Sequence, residues 1–222
     1  MRVVGGMILR NGIKLDYPFR EAILSALPLC DVFFVSVGQS EDGTREAVEE
    51  LQAAKVVILD SHWDLSIRKG GALLAIETNK LLEQLPPADW VLILQADEVL
   101  HEEDYDQLRA AMQRWKDDPT VEGLLFDYLH FYGSYEWVGV SRRWYRREVR
   151  IIRHHPEVRA YRDAQGFRRQ GRKLRVKPSG GRIFHYGWVR PPEAQLRKFV
   201  DMNRLWHSDQ WVEAHKPKHF VY

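Results

Sequence analysis

The first half of the chain alternates short apolar runs with segments of helical periodicity. The apolar runs are rich in Val, Ile, Leu and Phe and are bounded by loop-forming residues, which is typical of strands. Because apolar and polar residues do not alternate within them, both faces of these strands are expected to be covered. Four strands are predicted, at RVVGGMIL (2–9), DVFFVSVG (31–38), KVVILD (55–60) and DWVLILQ (89–95).

Three helices are predicted between these strands, because apolar residues recur three and four positions apart. The first, YPFREAILSAL (17–27), has Asp16 as its candidate N-cap. The second, TREAVEELQAA (44–54), has Thr44 in the same role, and the third covers residues 66–85. Each helix would connect one strand to the next.

Strands that alternate with helices in this way indicate an α/β fold. We expect a three-layer α/β/α sandwich with a mostly parallel central sheet, because parallel strands need helical crossovers on the faces of the sheet. In such sheets ligands bind beyond the carboxyl ends of the strands. The loops at 9–16, 36–44, 60–69 and 95–101 should therefore share one edge.

The second half of the chain is less regular. VEGLLFDYLHFYGS (121–134) and REVRIIR (147–153) are predicted to be strands, and PEAQLRKFVDMNRLWH (192–207) is predicted to be a helix. The final stretch, 210–222, has no predicted role. We expect one domain over residues 1–222, because the length fits a single large unit.

Charge is distributed unevenly along the chain. Residues 1–141 carry 12 Lys or Arg and 24 Asp or Glu, a net charge of −12, whereas residues 142–182 carry 15 and 3, a net charge of +12. A basic segment beside an acidic body favours an anionic ligand such as a phosphate, a nucleic acid or a lipid head group. The alternative is a basic face that packs against the acidic half.

Cysteine content and apolar run length narrow the class of protein. The chain has one cysteine, Cys30, which excludes an internal disulfide and a cysteine-based zinc site. No apolar run reaches the ~18 residues that a membrane span needs. The first residues are too weakly apolar for a signal peptide, so a cytoplasmic location is expected.

A group of carboxylates follows the fourth predicted strand. The apolar run 90–94 stops at Gln95, and Asp97 then lies where the strand would enter the ligand crevice. Carboxylate oxygens suit Mg²⁺ or Mn²⁺, so Asp97 is a candidate ligand for a divalent cation. Glu98 would point away from it, and the acids at 102–104 are interpreted as the start of a helix.

Two further segments contain residues suited to binding. Arg68 and Lys69 precede Gly70 and Gly71 at a helix start, where cations can neutralise phosphates and glycines allow close backbone approach. His185, in FHYGWVRPP, is either a structural histidine or a second ligand beside Asp97. Neither GxxxxGK[ST] nor GxGxxG occurs, which argues against a P-loop and a dinucleotide-binding domain.

Asp163 is an isolated carboxylate within the basic segment. The neighbouring arginines of VRAYRDAQGF would keep it ionised. It could form a salt bridge, or it could act as a general base that deprotonates a hydroxyl. The local sequence does not decide between these two roles.

Together these segments resemble the family-2-type glycosyltransferases, which have a GT-A-like nucleotide-diphospho-sugar transferase fold. VSVGQSEDGTREAVEEL (35–51) looks like the second-strand motif of that family, and residues 68–100 look like its helix, strand and D-x-D element. The resemblance covers residues 2 to about 130. DAQGFR (163–168) and HYGWVR (185–190) are similar to a bacterial subgroup of cell-surface and lipopolysaccharide-core transferases.

The resemblance implies inverting transfer of a sugar from a nucleotide-diphospho-sugar to an acceptor hydroxyl. Gln95-Ala96-Asp97 takes the place of D-x-D, with Asp97 as the ligand of Mg²⁺ or Mn²⁺ and His185 completing the metal site. Asp163 would be the general base. Residues 1–130 would form the nucleotide-sugar-binding half and residues 131–222 the acceptor side.

The resemblance also implies the remaining donor contacts. Arg10-Asn11-Gly12 takes the place of the family's Asn-Glu, so Leu9, Arg10 and Asn11 are expected to contact the donor. Ser36 and Val37 take the places of the acids that contact the nucleobase, and Ser36 is kept as a candidate contact. Arg68 or Lys69 would approach the base or the phosphates.

The partners that follow are a nucleotide-diphospho-sugar donor and a carbohydrate or lipid-linked acceptor, with peripheral contact to the inner membrane left open. Because Gln95 and Val37 depart from the family pattern, an inactive nucleotide-sugar-binding relative is the main alternative. A nucleic-acid-binding module is a weaker one. It would use residues 142–182 with aromatic stacking platforms at Trp144, Tyr145, Tyr161 and Phe167.

Overall fold

The four strands predicted in the first half form one side of a large sheet. The computed structural model describes residues 1–51 and 53–220, and gives these strands as β1 (Val3–Leu9), β2 (Val32–Gly38), β3 (Val56–Ser61) and β4 (Trp90–Ile93). They lie in the order β3-β2-β1-β4, and each neighbouring pair is parallel. Their carboxyl ends therefore meet at one edge, as predicted.

The second half extends this sheet with mixed pairing. Its strands are β5 (Glu98–Leu100), β6 (Gly123–Tyr132), β7 (Arg147–Arg153), β8 (Val158–Tyr161), β9 (Gly166–Arg169), β10 (Arg172–Lys173) and β11 (Val176–Trp188). The full order within the described residues is β3-β2-β1-β4-β7-β6-β11-β5. β7 pairs antiparallel with β4 and β6, β11 pairs parallel with β6, and β5 pairs antiparallel with β11. β8, β9 and β10 form a separate small antiparallel sheet.

Apolar packing covers both faces of the large sheet. The helices are α1 (Phe19–Ala26), α2 (Thr44–Glu49), α3 (Ala72–Gln84), α4 (Tyr105–Trp115), α5 (Pro192–Asn203) and α6 (Asp209–His215). One core cluster joins residues of α1, α2 and α4 to alternate positions of β1, such as Val3 and Met7. The other joins α3 and the small sheet to the opposite face, including Val4. The predicted α/β sandwich around a mostly parallel sheet is confirmed, and a small sheet shares one outer layer with α3.

Both predicted N-caps are wrong. Asp16 has a positive φ of 52° in the loop before α1, and Pro18 occupies the cap position. Thr44 is the first residue of α2, and its hydroxyl accepts a hydrogen bond from the Gly12 amide (2.8 Å) and donates one to Asp42 Oδ1 (2.5 Å). Thr44 therefore joins two loops of the sheet edge. The second helix ends at Glu49, earlier than predicted, and the prediction for Gln52 falls outside the described residues.

Much of the basic segment packs against acids of the first half. Glu122, just before β6, is buried and bonds Arg169 at 3.0 Å and Arg172 at 2.6 Å. Asp104 holds Arg182 at 2.9 Å in the same manner. These pairs favour the second interpretation of the charge pattern, a basic face on an acidic body, for this part of the segment.

Helix α5 closes the carboxyl edge of the sheet. The Arg197 guanidinium donates to the Lys14 carbonyl (2.8 Å), and the Lys14 ammonium pairs with Asp201 (3.3 Å). The chain just after α5 is also bound to the opposite wall, since the Gly71 amide donates to the Leu205 carbonyl (3.3 Å). The crevice therefore lies beneath α5. Among the described residues, none of the helices has the length and apolar character required to cross a membrane.

Candidate active site

A cavity of about 220 Å³ lies at the carboxyl edge of the sheet, beneath α5. It is bounded by the ends of β1 and β4, the start of the loop after β3, α3 and α5. Seven of the residues predicted from the sequence line it: Leu9, Arg10, Gln95, Ala96, Asp97, Asp163 and His185. The structure thus brings together residues that are far apart in the chain, at the place where α/β proteins bind ligands.

Asp97 is the buried anionic centre of this cavity. Its Oδ2 is 2.8 Å from the Lys198 ammonium and 3.9 Å from the Arg190 guanidinium, and its Oδ1 is 3.7 Å from His185 Nε2. Burial alone would raise the pKa of Asp97, but Lys198, His185 and Arg190 together lower it well below the usual range. Asp97 is therefore an ionised carboxylate at neutral pH.

A chain of hydrogen bonds fixes the tautomer of His185. The Tyr145 carbonyl can only accept, so His130 Nε2, 2.7 Å away, must carry a proton. Burial lowers the pKa of His130, and in the neutral ring Nδ1 is then the acceptor. His185 Nδ1 lies 2.8 Å from His130 Nδ1 and must donate. Burial lowers the pKa of His185 to about 4, so its Nε2 carries a lone pair at neutral pH.

The resulting donor set fits a divalent cation. His185 Nε2 and Asp97 Oδ1 are both acceptors, so they repel each other unless a cation binds between them. At 3.7 Å apart, both can reach one cation at bond lengths of about 2.0–2.2 Å. No third His, Cys, Asp or Glu joins them within residues 1–51 and 53–220, so further ligands would come from substrate oxygens or water.

Glu98 holds the backbone of the Gln95–Asp97 turn. Its buried carboxylate accepts two hydrogen bonds from the Arg150 guanidinium, at 2.6 and 2.7 Å. It also accepts from the Tyr128 hydroxyl at 2.8 Å and from the Gln95 amide at 3.1 Å. Asp97 faces the cavity while Glu98 faces the core, which agrees with the prediction that the two acids point different ways.

Asp163 lines the same cavity from the turn between β8 and β9. Among the described residues it forms no ion pair. Arg159 pairs with Glu83 and Arg169 pairs with Glu157 and Glu122, while Arg162 and Arg168 lie against the Tyr161 ring. Its Oδ1 accepts only a long bond from the Gln165 amide, 3.4 Å. The structure therefore does not support a salt bridge for Asp163, whose carboxylate is accessible at the cavity wall.

Four predicted donor contacts lie away from the cavity. Arg68 pairs with Asp209 at 3.0 Å, and Lys69 is exposed. Asn11 and Ser36 are both buried at about 1% exposure, and Asn11 Oδ1 accepts from the Glu41 amide. Contact of these four residues with a nucleotide stays a prediction.

Several residues in or beside the cavity were missed by sequence reasoning. Lys198 and Arg190 flank Asp97, and both lie over the Tyr17 ring at about 5 Å. Trp63 also lines the cavity, and its buried Nε1 has no hydrogen-bond partner within the described residues. Arg190 belongs to the HYGWVR segment, which could have drawn attention to it. Lys198 and Trp63 carry no local signal.

The aromatic residues proposed as stacking platforms for nucleic acid are largely covered. Phe167 is buried at 2% exposure, and Tyr145 packs edge-on against His130 with ring centres 4.4 Å apart. Trp144 stacks on His130, and Arg162 and Arg168 lie against the Tyr161 ring, which is 40% exposed. A row of free rings for base stacking is therefore not present among these four residues.

Sheet order and cavity position together define an α/β protein with a candidate ligand site at the carboxyl edge of its sheet. No family model and no curated protein matches the chain. Similar solved structures include S. aureus TarS, with 13% identity and a TM-score of 0.47 over 91% of this chain. Glucosyl-3-phosphoglycerate synthase from Mycobacterium tuberculosis, in complex with Mn²⁺, UDP and phosphoglyceric acid, has 14% identity and a TM-score of 0.40 over 58%.

A third similar structure is the mannosyltransferase PcManGT from Pyrobaculum calidifontis with GDP-Man and Mn²⁺, at 21% identity and a TM-score of 0.41 over 59% of this chain. The chain spans 39%, 43% and 35% of the lengths of these three proteins. The similarity concerns the fold, and at these values it carries no argument about activity. Activity has to be argued from the residues of the cavity itself.

Proposed function

We propose that this chain is a glycosyltransferase that transfers a sugar from a nucleotide-diphospho-sugar to an acceptor hydroxyl. The observation that supports this most is the pairing within one cavity of an ionised Asp97, held beside Lys198, with the accessible carboxylate of Asp163. Lys198, and Asp97 through a bound cation, are suited to stabilising the charge of a leaving diphosphate. The Asp163 carboxylate is suited to accepting the proton of an attacking hydroxyl. Residues 1–130 would supply most donor contacts and residues 131–222 the acceptor side.

The leaving-group side combines a cation site with fixed cations. Asp97 and His185 would hold Mg²⁺ or Mn²⁺, which would stabilise the negative charge of the departing nucleoside diphosphate. Lys198 and Arg190 already lie within 4 Å of Asp97 and would contribute positive charge to the same oxygens.

The acceptor side would use Asp163 as general base. As the acceptor oxygen forms its bond to the anomeric carbon, the bond from that carbon to the diphosphate breaks, and the hydroxyl proton passes to Asp163. Attack from the face opposite the leaving group would invert the configuration. Arg10, Gln95 and Ala96 line the cavity beside Asp97, where the ribose and diphosphate would lie, with Leu9 at the end of β1. The acceptor we propose is a carbohydrate or lipid-linked glycan of a bacterial cell surface.

The test has a binding arm and a turnover arm. Thermal shifts would be measured with a panel of nucleoside diphosphates, with and without Mn²⁺, and donor hydrolysis or transfer would be measured with the corresponding sugars. We expect a Mn²⁺-dependent shift for one base that Asp97→Asn abolishes. Asp163→Asn should keep that shift and lose turnover by about two to four orders of magnitude.

Each contrary result has a distinct meaning. A thermal shift with a nucleoside diphosphate, but no turnover with any sugar donor, would instead indicate an inactive protein that only binds nucleotide sugars. Neither binding nor turnover with any nucleotide would contradict the proposed function. Turnover retained in Asp163→Asn would contradict the assigned base while leaving the transferase itself in place.

A further inference from the structure

The hairpin between β6 and β7, residues 133–146, displays large apolar side chains to solvent. Tyr135 and Trp137 are each 71% exposed, Val140 is 83% exposed and Val138 is 38% exposed. Of the ten exposed large hydrophobic residues among those described, four lie in this short stretch. A tryptophan this exposed is uncommon, and clustered exposed apolar residues mark binding surfaces.

The backbone of the hairpin is held in this exposed arrangement by contacts with the end of β6. Val138 bridges to Phe131, and the Tyr132 amide donates to the Trp137 carbonyl at 3.0 Å. The Gly139 amide donates to the His130 carbonyl at 2.8 Å. A Cβ on Gly139 would lie only 2.3 Å from Trp144 Nε1, so the hairpin packs closely around that ring.

The apolar tip is followed by cations that have no acidic partner. Arg142, Arg143 and Arg146 are exposed, and none of them forms an ion pair within residues 1–51 and 53–220. The hairpin contains one carboxylate, Glu136. In this respect it differs from arginines such as Arg172 later in the basic segment, which bind buried acids.

We propose that the 133–146 hairpin binds an anionic membrane surface. Trp and Tyr rings favour the head-group region, valines enter the acyl boundary, and arginines pair with phosphates of anionic lipids. A nucleic acid would use the rings and cations but would leave Val138 and Val140 in contact with polar groups. The combination of apolar tip and unpaired cations is therefore complementary to a charged lipid surface.

The hairpin adjoins the candidate active site. The Tyr135 ring lies 5.6 Å from the Tyr186 ring, and the Tyr186 amide donates to the Asp97 carbonyl at 2.8 Å. A second cavity, of about 460 Å³, is lined by Tyr135, Tyr186 and Tyr17, and Tyr17 also lines the first cavity. Membrane binding through the hairpin would thus bring the crevice close to the head groups. The proposal rests on the hairpin itself, so its failure would leave the proposed transfer reaction standing.

The test is co-sedimentation of the whole chain with vesicles of phosphatidylcholine, alone or mixed with phosphatidylglycerol. We expect binding to the mixed vesicles only. Binding should be weaker at about 0.5 M salt than at low salt, because salt screens the attraction between the arginines and the lipid phosphates. Trp137→Ser with Val140→Ser should lower the partition coefficient at least tenfold, and Arg142→Gln with Arg143→Gln should remove most of its salt dependence.

Leu65→Ser is the matched control, because Leu65 is 41% exposed and follows β3, the edge strand of the large sheet that is farthest from β6. It should bind as the unaltered chain does, and all variants should keep the same circular dichroism and melting temperature. No sedimentation at low salt would overturn the proposal, as would equal binding of the Trp137/Val140 variant. Binding of an oligonucleotide, or self-association, that depends on these residues while vesicles are not bound would also overturn it.

Discussion

At the residue scale, the site is a carboxylate whose surroundings decide its chemistry. Asp97 is surrounded by an ammonium, a guanidinium and a neutral imidazole. His130 contacts neither Asp97 nor the proposed cation, yet its hydrogen bonds determine which ring nitrogen of His185 is unprotonated. It is a positioning residue, and its removal should affect cation binding without removing a ligand.

His130→Phe should weaken Mn²⁺ binding about ten- to hundredfold, because His185 would lose the acceptor that fixes its tautomer. His130→Asn should restore much of the affinity, since an amide oxygen can accept from His185 Nδ1. Calorimetric titration of Mn²⁺ in the presence of a nucleoside diphosphate measures this directly. Equal affinities for the Phe and Asn variants would show that His130 acts only through packing.

The cavity residues that the sequence predicted are those that strand position or motif reveals. Asp97 follows a buried strand, and Asp163 and His185 lie in short segments with unusual neighbours. Lys198 is 101 positions away from Asp97 along the chain, and its contact exists only because α5 folds over the crevice. No local pattern reports such a contact, so Lys198 could not be predicted.

At the element scale, the Gln95–Asp97 turn depends on a buried ion pair. Arg150 and Glu98 are about 1% and 0% exposed and bond at 2.6 Å. Breaking such a pair leaves one buried charge without compensation. The pair also joins β5 to β7, which are not neighbours in the sheet.

Glu98→Gln should lower the free energy of unfolding by ~3–5 kcal/mol, because Arg150 would remain buried and charged. Asp127→Asn is the control, since Asp127 pairs with Arg147 at 2.7 Å but both side chains are 62% exposed. Its effect should stay below ~1 kcal/mol. Urea unfolding of both variants gives the comparison, and similar losses for the two would contradict the assigned role of burial.

Glu122 joins the start of β6 to the small sheet, and the stability that these bonds provide should depend on pH. Hydrogen bonds from Arg172, the Arg175 amide and Arg169 lower the pKa of Glu122 to about 2, against 4.5 in an unfolded chain. A lowered carboxyl pKa contributes stability that is present above the unfolded pKa and is lost as pH falls toward the folded one. The relevant window is therefore about pH 4.5 down to about pH 2.

Glu122→Gln should lower the free energy of unfolding by about 1–2 kcal/mol at pH 7, a value reduced because Arg172 is largely exposed. The difference from the unaltered chain should shrink as pH falls from 4.5 toward 2. Glu213→Gln, at an exposed carboxylate without an ion pair among the described residues, should change neither value. Urea titrations across this range measure both, and a constant difference at all pH values would count against the link.

The parallel strands could be predicted because their composition alone requires burial on both faces. β5 and β8 to β10 could not, because they are two to four residues long and exist through pairing with strands elsewhere. The position of β7 between β4 and β6 could not be predicted either, because the sequence of a strand does not indicate which strands it pairs with.

At the scale of the whole molecule, α5 limits the size of the candidate active site. The cavity beneath it, about 220 Å³, is smaller than the ~300–1,000 Å³ of typical small-molecule sites. If the proposed nucleotide-diphospho-sugar binds there, we expect α5 to move outward to admit it. Such opening should limit association, because the binding-competent state is only a fraction of the population.

In stopped-flow binding of a nucleoside diphosphate, the observed rate should reach a plateau as ligand concentration rises. Lys14→Gln should raise that plateau, because it removes the pair with Asp201 that ties α5 to the loop after β1. Arg20→Gln, which breaks an exposed pair with Glu50, should leave it unchanged. A rate that rises linearly for all three proteins would show that α5 does not control entry.

The position of Lys198 on α5 couples two properties that are usually independent. The same side chain helps to close the cavity and lowers the pKa of Asp97. When α5 moves outward, the space open to a ligand grows and the acidity of Asp97 falls in the same step. Substitutions that loosen this helix should therefore change both the size of ligand accepted and the pH range of binding. Selection for a change in one of these properties would also change the other.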